Sequence, residues 1–109
     1  MTARKSNDRQ PPALTEVDRL VHEPARLAIL VVLYVLESAD STFLMNQTGL
    51  SWGNLSSHMS KLEEGGYIAV EKQFAGKKPR TVAHLTDTGR AAFRDYRQQM
   101  RELFDGLPD

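Results

Sequence analysis

The stretch Phe43–Tyr67, FLMNQTGLSWGNLSSHMSKLEEGGY, decides how the rest of the chain is read. It has the pattern of a short helix, a turn at Gly49–Ser51, a second helix and a glycine stop at Gly65–Gly66. At about 100° per residue, Trp52, Leu55, Met59 and Leu62 share one face of the second helix. The opposite face carries Gly53, Asn54, Ser56, Ser57, Ser60 and Lys61, all small, uncharged or basic. A solvated helix face is ordinarily filled with Glu and Lys. Small hydrogen-bonding side chains suit close approach to another polar surface, such as the major groove of DNA.

Immediately upstream, Ala39–Asp40–Ser41 reads as a break, with Ser41 or Thr42 capping the first short helix and Phe43 and Leu44 turned to the core. Gly49 permits the positive φ of a helix–turn–helix corner, and Ser51 caps the second helix. Met45 stands where a smaller residue is commoner, and its flexible side chain can be accommodated there. Downstream, the period changes from 3.6 to 2. Ile68, Val70 and Phe74 alternate against Ala69, Glu71 and Gln73, AGKKP reads as a loop, and RTVAHL as a second strand. A two-stranded hairpin with a basic tip is expected, packed on the helices because two strands alone are marginal.

Thr86 is the expected cap of a last helix over about 86–107, in which Phe93, Tyr96, Met100, Leu103 and Leu107 recur at heptad spacing. The distal half of that seam is expected to contact a second copy, joined by Leu14 and Val17 of a short helix over Leu14–His22 that Thr15 caps. Between these lies Pro24 to about Ser38, apolar nearly all round and therefore expected to be the most buried element. Arg26 is expected at its edge in a surface salt bridge. Residues 1–13 carry three basic groups and one acid and end in Pro11–Pro12, the pattern of a flexible basic arm.

Length and composition bound the possibilities. A chain of 109 residues supplies one core, and 40% hydrophobic with 26% charged residues is ordinary for a globular domain. With no cysteine and three scattered histidines, thiolate zinc sites are excluded and a histidine metal cluster is not expected. No cofactor is expected. The apolar run Leu27–Leu36 is too short to span a bilayer and no secretory signal is visible, so a cytoplasmic protein is expected. Enzyme readings find no support: there is no phosphate-binding glycine loop, no G-x-S-x-G elbow, and serines beside His58 on one helix cannot form a nucleophile–base–orienter set. Net charge is zero, yet three of the four cations in 66–85 fall within Lys77–Arg80.

Helices, a helix–turn–helix, a basic hairpin and a closing helix make a mainly α, winged helix-turn-helix domain over about 14–107, extended by N- and C-terminal helices. LSSHMSKLEEGGY at 55–67 resembles the recognition helix of ArsR-type and MarR-type regulators. HEPARLAIL resembles the second ArsR helix, and LTDTGRAAF the post-wing helix of MarR-like and PadR-like proteins. The resemblance implies a homodimeric transcriptional regulator, a repressor, on double-stranded DNA. It places Ser51, Trp52, Gly53, Asn54, Ser56, Ser57, His58 and Lys61 at the major groove, and Lys77, Lys78 and Arg80 at the wing. Metal sensing is not implied, because the cysteine pair is missing, and no effector pocket is visible.

Within that set, Asn54 suits adenine and Arg80 a narrow minor groove. His58 either donates to a phosphate or packs at the helix edge. Trp52 reads as a partly buried anchor. The dimer contact is assigned to Leu14, Val17, Tyr96, Met100, Leu103 and Leu107. A second reading, a winged helix serving as a protein-interaction module without DNA binding, rests on the zero net charge.

Overall fold

The computed structural model describes residues 16–109. Among them are helices α1 (Pro24–Leu36), α2 (Ser41–Thr48), α3 (Trp52–Glu64) and α4 (Asp87–Asp105), with strands β1 (Ser38–Asp40), β2 (Ile68–Ala75) and β3 (Lys78–Leu85). The strands form one antiparallel sheet in the order β1-β3-β2. The architecture is a winged helix. No helix among the described residues is long and apolar enough to cross a membrane. The proposed basic arm at 1–13, Leu14 and the Thr15 cap lie outside the described residues.

The core is built where the apolar stripes meet. Ile29, Leu30 and Leu33 of α1, Leu44 of α2 and Leu55, Met59 and Leu62 of α3 pack with Ile68, Phe93 and Tyr96. Each fully buried aliphatic side chain stabilises the fold by roughly 1.5–3 kcal/mol. The 3-4-3 reading of α3 therefore holds at Leu55, Met59 and Leu62, while Trp52, at the exposed first turn, stays 48% exposed.

Several expectations are corrected. Residues 16–22 form turns, not the helix expected over 14–22. The Asp18 carboxylate accepts from the Leu20 and Val21 N–H groups at 2.9 and 3.3 Å, which offers the backbone an alternative to helix. α1 stops at Leu36 because Glu37 turns to φ 70° while its N–H still bonds Leu33 O. Ser38–Asp40 is not a simple break but a third strand, paired to Val82–His84 of β3. The cap of α2 is Asp40, which accepts from Phe43 N–H at 2.8 Å, rather than Ser41 or Thr42. Phe43 is 40% exposed and leaves the core contact to Leu44.

β3 starts two residues earlier than the expected RTVAHL and β2 runs one residue further than expected, so only Gly76 and Lys77 connect them. Gly76, at the first of the two turn positions, has φ 69°, which only glycine adopts without strain. Pro79 sits inside β3, where its missing N–H is tolerated because β1 pairs only with residues 82–84. Phe74, expected on the packed side, is 72% exposed on the far half of the hairpin.

α1 is the other correction. Its inner face is buried, but Val31, Val35 and Leu36 are 45%, 72% and 49% exposed. The described part of one copy leaves an apolar helix face uncovered.

Candidate nucleic-acid interface

α3 is presented by two caps and a turn. Gly49 ends α2 in the left-handed conformation at φ 74°, and the Ser51 hydroxyl accepts from Asn54 N–H at 3.2 Å to start α3. The packing of Leu55, Met59 and Leu62 against the core fixes the rotation of the helix. Ser51, Trp52, Gly53, Asn54, Ser57, Ser60 and Lys61 are consequently exposed, with Ser56 and His58 half-buried at the two shoulders. A Cβ built on Gly53 would meet nothing within 4 Å, so this glycine is not required by packing inside the chain.

The hairpin stands beside this face. A small groove between them is lined by Trp52, Ser56 and Ser60 of α3 and by Val70, Lys72 and Thr81 of the strands. Lys72 is a contribution that the sequence reading did not assign, since only the fold brings β2 against α3, whereas Ser60 belongs to the polar face read from the sequence. Lys77 and Lys78 are exposed at the hairpin tip and form no ion pair with a described residue. Arg80 is placed differently. Its guanidinium lies 3.1 Å from Asp40, on the strand beyond β3.

His58 is tied to α1. Its Nδ1 lies 3.2 Å from the Arg26 guanidinium and 3.8 Å from the Glu23 carboxylate. Arg26 also donates to the carbonyls of Leu20 and Arg19, at 2.7 and 3.3 Å. The expected surface salt bridge of Arg26 is thus a set of bonds to carbonyls and an imidazole. A guanidinium is only a donor, so this contact makes His58 Nδ1 the acceptor and leaves the proton on Nε2. Glu23 accepts from Arg26 N–H at 2.7 Å as the cap of α1, and that bond holds its carboxyl below the usual value. Neither partner was signalled locally, because Glu23 and Arg26 lie more than 30 residues from His58.

The base of α3 is locked from behind. A Cβ on Gly89 of α4 would lie 2.0 Å from Tyr67 O, so only glycine permits this contact. Thr86 donates to Gly66 O at 2.6 Å, and Tyr67 donates to the Asp18 carboxylate. Burial, and then the Asp18 hydrogen bond, push the Tyr67 phenol up to about 12.

The residues assigned to a dimer contact divide. Tyr96 is 6% exposed within one copy, where its hydroxyl lies 2.8 Å from His22 Nδ1, and Val17 and Met100 pack at the edge of the same core. Leu103 is half-buried, Leu107 is 48% exposed, and Leu14 lies outside the described residues. Phe104, which the heptad reading left out, is 63% exposed.

A family model described as winged helix DNA-binding domain matches residues 25–104. The chain is 32% identical over 85 residues to an uncharacterized protein of Methanocaldococcus jannaschii, spanning 78% of this chain and 92% of that one. The solved transcriptional regulator homologue protein from Pyrococcus horikoshii OT3 superposes with a TM-score of 0.80 at 29% identity, over 84% of this chain and 91% of its own. Overoxidized AbfR bound to DNA superposes with a TM-score of 0.64 over 76% of this chain and 58% of its own. At 22% identity that last likeness is one of fold.

Proposed function

We propose that this chain, which belongs to the winged helix DNA-binding domain family, is a homodimeric transcriptional regulator that binds double-stranded DNA and acts as a repressor. The observation that carries this reading is the outward face of α3. It offers Gly53, Asn54, Ser57, Ser60 and Lys61, free of any covering element among the described residues, beside a hairpin whose tip holds Lys77 and Lys78. α3 enters the major groove, where Asn54 and Ser57 reach base edges and Lys61 a phosphate. The wing, residues 75–80, lies along the flanking backbone or minor groove. His58 presents its Nε2–H to a phosphate, held in that tautomer by Arg26. Trp52 borders the groove between α3 and the hairpin. AbfR bound to DNA offers a precedent for this fold on a duplex.

The uncovered apolar face of α1, at Val31 and Val35, the exposed Phe104 of α4 and the exposed Leu107 support self-association. Leu107 lies beyond the Asp105 end of α4 rather than on the helix expected to reach 107. Two copies related by a two-fold axis would set two α3 helices about 34–36 Å apart, one turn of DNA. Selection of bound duplexes from a random pool, followed by footprinting, tests this. An enriched sequence with two half-sites about one turn apart supports it. A pool that never enriches over unselected DNA contradicts it and favours a protein-interaction module. Repression is tested by placing the enriched site across a reporter promoter, where reporter output falls when the protein is present.

A further inference from the structure

α4 segregates its charge. At about 100° per residue Arg90, Arg94, Arg97 and Arg101 fall within about 60° of arc, while Asp87, Asp95, Glu102 and Asp105 lie on the adjoining outer face. Like charges four residues apart cost a helix a few tenths of a kcal/mol, and interleaving the acids would have removed that cost. The stripe runs beside α1, where Arg90 stacks over the Tyr34 ring at 4.9 Å from its centroid and also pairs with Glu37 at 3.3 Å. Past Tyr34, a concave depression of about 380 Å³ is lined by Tyr34, Arg94, Asp95, Arg97, Gln98 and Arg101. Three guanidinium groups therefore face one carboxylate in its lining. Arg94, Arg97 and Arg101 form no salt bridge with any described residue. The Tyr34 phenol is held below its ordinary value by the adjacent Arg94 and by the charges of Arg97 and Arg90.

We propose that the depression between Tyr34 and Arg94, Arg97 and Arg101 is a binding site for a small organic polyanion, a di- or tricarboxylate or a phosphate ester. The planar forks of the arginines match carboxylate and phosphate oxygens two by two, and the Tyr34 hydroxyl supplies a neutral donor beside them. A depression of this size fits a small molecule. The site lies away from the α3 face and the wing, and the inference does not rest on the DNA-binding reading.

Titration of the ¹⁵N-labelled full chain with citrate, and separately with pyrophosphate, at constant ionic strength set by chloride, tests the site. The expected result is saturable shifts centred on Tyr34, Arg94, Arg97 and Arg101, with a dissociation constant below about 1 mM. R94Q/R97Q is expected to weaken binding by about tenfold or more with an unchanged thermal midpoint, and Y34F by less. Comparison of citrate with pyrophosphate distinguishes a carboxylate from a phosphate source. Shifts that grow linearly, or that fall equally on Lys77 and Lys78, overturn the proposal as simple charge screening. Binding unchanged in R94Q/R97Q also overturns it. So does a variant whose only change is in oligomeric state, because the stripe would then be occupied by the acidic face of a second copy.

Discussion

Asp40 holds Arg80 and α2 together: one carboxylate oxygen lies 3.1 Å from the Arg80 guanidinium while the other accepts from Phe43 N–H at 2.8 Å. Arg80, the cation that the proposed wing contact would bring to a minor groove, is thereby paired within the chain, and the carboxylate sits beside the wing. Both side chains are partly solvated, at 47% and 26% exposure, so the pair is worth little in stability.

Asp40→Asn is expected to keep the cap, because Asn caps as well as Asp, while releasing Arg80. Its thermal midpoint should stay near that of the parent, and affinity for any duplex should rise by about threefold at low salt. Asp40→Ala releases Arg80 as well but loses the cap, and urea denaturation should show a loss of about 1 kcal/mol. Equal stability of the two variants would argue against the capping role.

Gly53 and Gly89 are predicted to respond in opposite directions. Gly53→Ala meets nothing within 4 Å and replaces glycine in a helix, so it should stabilise the chain by up to about 1 kcal/mol. On the proposed interface the same methyl group stands against the groove, and DNA affinity should fall. Gly89→Ala forces its Cβ onto Tyr67 O, and a loss of about 1–3 kcal/mol is expected. Thermal melts of both variants, with a duplex-binding assay on Gly53→Ala, check this.

The hairpin and α3 were legible because their signals are local. The 3-4-3 stripe of α3, the serine cap at Ser51 and the change of period after Gly66 each lie within a few residues. What was missed depends on distant chain. Ser38–Asp40 has no alternation and becomes a strand only because β3 offers it an edge. Leu14–His22 has a helical stripe, but Asp18 engages the backbone of Leu20 and Val21 and the hydroxyl of Tyr67. The Arg80 restraint by Asp40 and the His58 restraint by Arg26 each join residues more than 30 apart. α1 carried a true signal of burial, yet Val31 and Val35 are uncovered in one copy, and the reading of that signal passes to the proposed dimer.

Tyr67 gives the fold a predicted alkaline limit. Its phenol, pushed up to about 12, holds its proton more tightly folded than unfolded, where it ionises near 10. The unfolded state therefore binds fewer protons between these values, and stability falls with rising pH. The contribution is complete below about pH 10 and is lost as pH rises towards about 12. Thermal midpoints from pH 9 to 11.5 should drop less steeply in Tyr67→Phe than in the parent. Parallel curves would contradict the assignment.

The interface of α3 and wing is predicted to separate affinity from specificity. Charge reversal at Lys77 and Lys78 should weaken binding to all duplexes alike, whereas Asn54→Ala or Ser57→Ala should change which sequences a random pool enriches. An unchanged preference in both α3 variants would count against the groove assignment.

The most direct measurement is fluorescence anisotropy of a labelled duplex from upstream of the protein's own gene, against an unrelated duplex, across a salt series. With roughly six phosphates neutralised per dimer, log affinity should fall against log salt with a slope of about −5, and the upstream duplex should bind more tightly. No binding to either duplex at low salt would contradict the account.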